Sequence, residues 1–134
     1  MVIGFHKQFV APILAGTKIH TLREDKNDRW KPGVMMHQYT GGRFSKEYQK
    51  FNETPCVSTQ KITMAIEKDL DGGLSVLVMT VGNRELDEAT QELLAVRDGF
   101  ASMIDFKKWW YPILAKQPGF KMVRKIIHWT DLRY

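Results

Sequence analysis

Val57, Ile62, Met64 and Ile66 within Cys56–Ile66, and Val76, Leu77, Val78 and Met79 within Leu74–Val81, form two apolar runs on either side of Asp69-Leu70-Asp71-Gly72-Gly73. Runs of this length and composition, separated by acidic residues and paired glycines, predict two strands of a β-hairpin. The hairpin lies mid-chain, and the segments around it decide the fold class.

Upstream, Val2, Ile3 and Phe5 predict a short first strand or extended entry, and Phe9, Val10, Ile13 and Leu14 recur at helical spacing. Pro12 limits that helix to a turn or two, and Gly16 sits where a C-terminal cap needs positive φ. From Ile19 the chain reads as extended. Glu24-Asp25-Lys26-Asn27-Asp28-Arg29 is a polar loop ending at Trp30, and Lys31-Pro32-Gly33 is a turn leading into a strand over Val34–Tyr39. Thr40-Gly41-Gly42-Arg43 breaks that strand, and a polar stretch carrying Phe44, Tyr48 and Phe51 leads to Pro55.

Downstream, Asp87 is an N-cap for a helix to about Val96, with Gly99 just past its end. Ser102-Met103-Ile104-Asp105 has the form of a capping box for a second helix through Trp110, which Pro112 bends or restarts. Phe120–Trp129 reads as a closing strand. Strands and helices do not alternate regularly, which argues against a parallel doubly wound sheet. The expected architecture is α+β: a small, mostly antiparallel β-barrel with helices packed outside, in one domain over residues 1–134.

Composition narrows the function. Hydrophobic residues make up 43% and charged residues 26%, as in ordinary globular proteins, and no apolar run approaches the roughly 20 residues of a membrane span. Met1-Val2-Ile3-Gly4-Phe5-His6-Lys7 lacks a signal-peptide layout, and the lone Cys56 cannot form an internal disulfide, so a cytoplasmic, reducing setting is expected. The net charge of +5 is unevenly spread: nine basic against five acidic residues in 17–61, three against nine in 62–106, and seven against one in 107–134. If the first and last blocks lie side by side they make a face attractive to phosphates; if the acidic middle folds across them, they are neutralised.

The chemistry concentrates in Gly16-Thr17-Lys18-Ile19-His20-Thr21-Leu22-Arg23, where an amine, an imidazole, a hydroxyl and a guanidinium follow the helix-ending glycine. The spacing Gly16-x-Lys18-x-x-x-x-Arg23 resembles the signature of the ASCH family, whose fold is similar to the PUA RNA-binding domain. Trp30-x-Pro32-Gly33, Arg97-Asp98-Gly99-Phe100 and Ile126-Ile127-His128-Trp129-Thr130 extend the resemblance over nearly the whole chain. It implies a PUA-like barrel with a cleft lined by the signature, acting on a nucleoside or on RNA. Some small bacterial members remove the acetyl group of N4-acetylcytidine with a Lys, a Thr and an acidic residue; others bind or cleave RNA. By motif position the Lys and Thr map onto Lys18 and Thr21. The acid falls on Asp98, where those amidohydrolases carry Glu, so its reach is shorter by one methylene.

Amide hydrolysis needs a nucleophile, a base, an oxyanion stabiliser and an acid for the leaving amine. Thr21 is the candidate nucleophile and Lys18 the base, provided burial and nearby Arg23 lower its pKa. Arg23 binds an oxyanion or a phosphate; Asp98 orients Lys18 or returns the proton. Strand alternation places Thr21 and Arg23 on one face and Lys18 on the other, so Lys18 must lie in the turn after Gly16 for the pair to meet. His20, Trp30 and Arg43 are further substrate-binding candidates: His20 by its place in the signature, Trp30 as a base-stacking ring, Arg43 as a phosphate contact after Gly41-Gly42. Trp109 and Trp129 are expected in the core. His6, His20, His37 and His128 lack the paired spacing of metal sites, so neither a metal nor another cofactor is expected. The alternatives to an amidohydrolase are a non-catalytic RNA-binding module and an RNA-cleaving protein.

Overall fold

The computed structural model describes residues 1–68 and 75–134; the turn read at Asp69–Gly73 lies outside the described residues. In chain order come β1 (Val2–Phe5), a 3-10 turn (Lys7–Phe9), α1 (Val10–Ala15), β2 (His20–Arg23), β3 (Met35–Thr40), β4 (Gln49–Pro55), β5 (Ser58–Lys68), β6 (Ser75–Val81), β7 (Arg84–Glu85), α2 (Glu88–Arg97), α3 (Met103–Ala115) and β8 (Lys121–His128). The fold is α+β with two sheets: a three-stranded one in the order β1-β3-β4 and a five-stranded one in the order β2-β8-β5-β6-β7. The β1–β3 pairing is parallel and the others are antiparallel. Among the described residues no ladder joins the sheets into the closed barrel expected from the sequence. β1 and β2 stand as edges of separate sheets.

The five-stranded sheet is organised by the hairpin. β5 and β6 pair with Ile62 opposite Val81, Met64 opposite Met79 and Ile66 opposite Leu77. Side chains directly opposite one another share a face, so these residues form one apolar surface, which β8 extends with Met122 opposite Met64. Phe106, Leu94 and Leu114, all fully buried, supply the helical side of the core from α2 and α3. At the β2–β8 end, Ile126, Ile127 and His128 are all fully buried, as are His20, Thr21 and Leu22 to within a few per cent. Burial of consecutive residues means that this end is covered on both faces. The second cover comes from the three-stranded sheet, where Phe5 meets Trp129 edge-to-face at 6.1 Å.

Four local expectations change. The polar stretch before Pro55 contains β4, whose apolar pattern is too weak to read alone but whose backbone pairs with β3 from Thr40–Gln49 to Met35–Pro55. Pro112 does not restart its helix: α3 runs on through it to Ala115. The hydrogen bond that proline cannot donate is offset by burial of Trp110 and Leu114 on either side of it. Ser102 makes no side-chain cap; Glu92 of α2 accepts the Met103 N–H at 3.1 Å instead. β7 is an additional two-residue strand.

Other local signals hold. Gly16 takes φ 79° and ends α1, where Pro12 sits in the first turn and its carbonyl accepts from both Thr17 and Lys18. Val34 N–H bonds Lys31 O at 3.1 Å across the Pro32-Gly33 turn. No helix among the described residues is long and apolar enough to cross a membrane.

Asp87 caps α2 by accepting the Thr90 N–H at 2.8 Å. Asp87→Ala is expected to lower unfolding stability by about 1 kcal/mol, read as a lower urea midpoint at unchanged slope.

Candidate functional site

β2 is an edge strand, paired to β8 on one side only. Its other side meets the end of α2, where Ile19 N–H donates to Arg97 O at 2.9 Å and Asp98 forms the helix C-cap. Lys18 lies two residues before the strand begins, in the irregular segment after Gly16. It therefore escapes strand alternation, and it lines the same cavity as Thr21. The condition set by the sequence, that Lys18 leave the strand to share a site with Thr21, is met by this placement.

That cavity measures about 910 Å³. Thr21 and Arg23 line it together with Lys18, Phe5, Phe9 and Asp98, and so do Phe100 and Trp109. Gly41, Gly42, Glu47 and Gln49 also line it. A pocket of this size accepts a nucleoside with room beyond it.

Lys18 is only 2% exposed. Its Nζ donates to His20 O at 2.9 Å, to Asp98 O, and to Asp98 Oδ1 at 3.2 Å, one acceptor for each ammonium proton. The rings of Phe9 at 4.7 Å and Phe5 at 5.7 Å flank the same nitrogen. Burial pushes the Lys18 pKa below the usual lysine range; the Asp98 charge and hydrogen bond oppose this, and Arg23 adds to it. The outcome is an amine that gives up its proton more readily than a surface lysine.

Thr21 Oγ1 accepts from Arg23 Nε at 3.1 Å, which leaves its own hydroxyl proton free to be donated. Burial lowers the Arg23 pKa against the opposing pull of Asp98. The Arg23 guanidinium also donates to Gly4 O of β1 and lies 4.8 Å from the Phe5 ring centre. One side chain thus polarises the candidate nucleophile and bridges the two sheets.

The remaining sequence candidates separate. His20 is fully buried and does not line the cavity, with Nδ1 3.3 Å from Asp98 Oδ1 and Nε2 2.6 Å from the Tyr134 hydroxyl. Trp30, considered above as a stacking ring, is buried in the core and away from the cavity, because Asp25 accepts its N–H and Lys125 donates to its carbonyl. Arg43 does not line the cavity, although it follows Gly41 and Gly42 in the chain; its guanidinium lies 5.7 Å from the Phe44 ring centre. Trp109, expected in the core, lines the cavity and packs edge-on to His6 at 5.0 Å. Glu47 and Gln49 carried no recognisable signal, whereas Phe100 was visible as the residue after Asp98-Gly99. Among the described residues, no group of three or more His, Cys, Asp or Glu is arranged to hold a metal ion.

The first and last basic blocks do lie side by side, through the β2–β8 pairing. Part of their charge is used internally: Lys125 pairs with Asp25 at 2.7 Å and with Asp28, and Lys18 pairs with Asp98.

Over 60 residues the chain is 38% identical to an N(4)-acetylcytidine amidohydrolase of Edwardsiella ictaluri (strain 93-146). The matched stretch covers 43% of this chain and 56% of that protein, so the chain spans little more than half of the relative's length. No family model matches the chain, and no solved structure matches it.

Two outcomes test this geometry. Gly99 has φ 98°, and a Cβ there would lie 2.8 Å from both Lys18 Cδ and Phe9 Cδ1. Gly99→Ala is therefore expected to cost more than the roughly 1 kcal/mol of backbone strain alone, with a lower melting temperature and faster chemical labelling of a displaced Lys18. The second concerns acid stability. Burial, then His20 and Arg133, push the His128 pKa down to about 3, and burial lowers that of His20 despite its hydrogen bond to Asp98. Below about pH 6.5 the unfolded chain binds protons that the folded histidines refuse, so stability falls as pH drops toward 3, by about 1.4 kcal/mol per unit for each such histidine. His128→Asn is expected to flatten that slope in urea titrations between pH 6.5 and 4.

Proposed function

We propose that this chain is an ASCH-type amidohydrolase whose cavity binds an N4-acylated cytidine, with Thr21 as nucleophile, Lys18 as base and Asp98 as the group that positions Lys18. The observation that carries this reading is that Lys18, held outside the strand, lines one cavity with Thr21 and is hydrogen-bonded to Asp98. The likeness to the amidohydrolase of Edwardsiella ictaluri supports the substrate class. On this reading the two sheets are the halves of a PUA-like barrel, met at the cavity by the Arg23 to Gly4 bond in place of a strand ladder.

Neutral Lys18 takes the Thr21 hydroxyl proton while Oγ1 attacks the acetyl carbon, and the carbonyl oxygen gains the negative charge. Arg23, already directed at Thr21, stabilises this developing charge. Collapse breaks the bond from carbon to N4, and the proton held by Lys18 passes to N4, releasing cytidine. Water then attacks the acetyl ester on Thr21 by the same proton route and frees acetate. Overall, N4-acetylcytidine and water give cytidine and acetate.

Asp98 sets the resting state of this cycle. Its charge favours the ammonium form of Lys18, whereas desolvation favours the neutral amine. Three acceptors surround a nitrogen that has only two protons when neutral, so loss of the third leaves one acceptor unmatched, and on this reading the amine turns away from that acceptor to present its lone pair to Thr21. The shorter side chain of aspartate is met by the close approach of the α2 end to the edge of β2.

Incubation of purified protein with N4-acetylcytidine, followed by chromatography, is expected to yield cytidine. Thr21→Val keeps shape and burial and is expected to remove turnover; Lys18→Met keeps the aliphatic length and is expected to lower kcat by about 10²–10⁴. Native-level turnover in either variant overturns the assignment of roles. No turnover by the native protein, together with salt-sensitive RNA binding, replaces the enzyme with an RNA-binding module.

A further inference from the structure

We propose that His20 and Tyr134 are positioning residues that act on Lys18 through Asp98, in a buried line of hydrogen bonds leading from the Tyr134 hydroxyl to the cavity. The functional consequence rests on the amidohydrolase reading above; the hydrogen-bonded line itself is tested without it.

The direction of each bond follows from what each group can donate. Asp98 Oδ1 accepts from Lys18 Nζ at 3.2 Å and lies 3.3 Å from His20 Nδ1. An ionised carboxylate only accepts, so the Nδ1 atom carries the hydrogen. Fully buried His20 is neutral, which leaves Nε2 as a lone pair, and the Tyr134 hydroxyl 2.6 Å away is its donor. Tyr134 keeps that proton, since burial holds its pKa up at about 12. The backbone of Tyr134 is clamped by Gln60, whose Nε2 donates to Tyr134 O and whose Oε1 accepts the Tyr134 N–H, both at 2.8 Å. The same Oε1 lies 3.0 Å from His128 Nε2.

Lys18 faces Asp98 and Arg23; His20 faces Asp98, Lys18, Arg97, and the His128 ring at 5.4 Å; Tyr134 faces Arg97, Asp98, the His20 ring at 5.4 Å and the His128 ring at 5.9 Å. When Lys18 is neutral, Asp98 is left as a buried carboxylate with one fewer cationic donor, and the His20 Nδ1–H is the donor that remains on Oδ1. His20 thereby lowers the cost of deprotonating Lys18.

Nitrogen-15 NMR of the native protein at neutral pH is expected to show His20 as the neutral Nδ1–H tautomer, which is the less common one in water; an Nε2–H tautomer or an imidazolium overturns the proposal. His20→Leu is expected to raise the apparent pKa of Lys18 by roughly half to one pH unit, read from the pH dependence of its amine labelling by mass spectrometry. His20→Gln, which keeps an N–H donor, is expected to recover most of that shift. Tyr134→Phe changes one hydroxyl, guards against loss of folding in the His20 variants, and is expected to give a smaller shift of the same sign. An unchanged labelling profile in Tyr134→Phe and His20→Leu overturns the proposal. In turnover, the acid limb of kcat is expected to move by the same amount with KM unchanged. If the tautomer and labelling results hold while N4-acetylcytidine is not hydrolysed, the hydrogen-bonded line stands and the amidohydrolase reading falls.

Discussion

The ammonium of Lys18, buried against Asp98, is the interaction on which the local structure is arranged. Removing two charges from water costs several kcal/mol for each ion, and attraction between them offsets this only when every remaining donor is satisfied. The fold meets that requirement from several directions at once. The His20 carbonyl comes from β2, the Asp98 carbonyl and carboxylate from the end of α2, and the rings of Phe5 and Phe9 from β1 and the turn after it. Gly99 follows Asp98 with no Cβ because the Lys18 stem occupies the space that one would fill. The charge pair is thus also a tether, joining the segment after α1 to the end of α2 at the free edge of β2.

Much of this was legible in the sequence because it rests on short-range rules. The stop at Gly16, the turn at Pro32-Gly33, the cap at Asp87 and the pairing of the central hairpin all follow from local conformational preference or period-two patterning. Lys18, Thr21 and Asp98 were visible as a constellation, and the structure brings them to one cavity. β4 was hidden because its pairing is made by backbone groups, while its side chains are largely polar on both faces. The cap of α3 was hidden because Glu92 is eleven residues from the Met103 N–H it accepts, beyond any capping motif.

Other misreadings share a cause in tertiary geometry. Trp30 sits in a polar loop and resembles an exposed ring, but Asp25 and Lys125 fold that loop down onto β8 and bury the indole. Trp109 packs against the core as its type suggests, and from α3 it also lines the cavity, which its type alone does not show. His20 belongs to the signature by position and to the face away from the candidate nucleophile by alternation, since β2 directs Thr21 and Arg23 to the opposite face. The barrel expected from the order of strands and helices depends on whether two sheet edges approach within hydrogen-bonding distance, and no pattern of apolar residues encodes that.

The bond from Arg23 to the Gly4 carbonyl has a mechanical consequence. Where two sheets are stitched by a ladder, separating them breaks many backbone bonds together. Here the edges of β1 and β2 are spanned at the cavity by a guanidinium, with the contact of Phe5 on Trp129 beside it. Releasing that guanidinium costs on the order of 1.5–3 kcal/mol and disturbs neither ladder. That guanidinium is therefore one of the few contacts that set the spacing of the two edges at the cavity, and it is a side chain rather than a ladder.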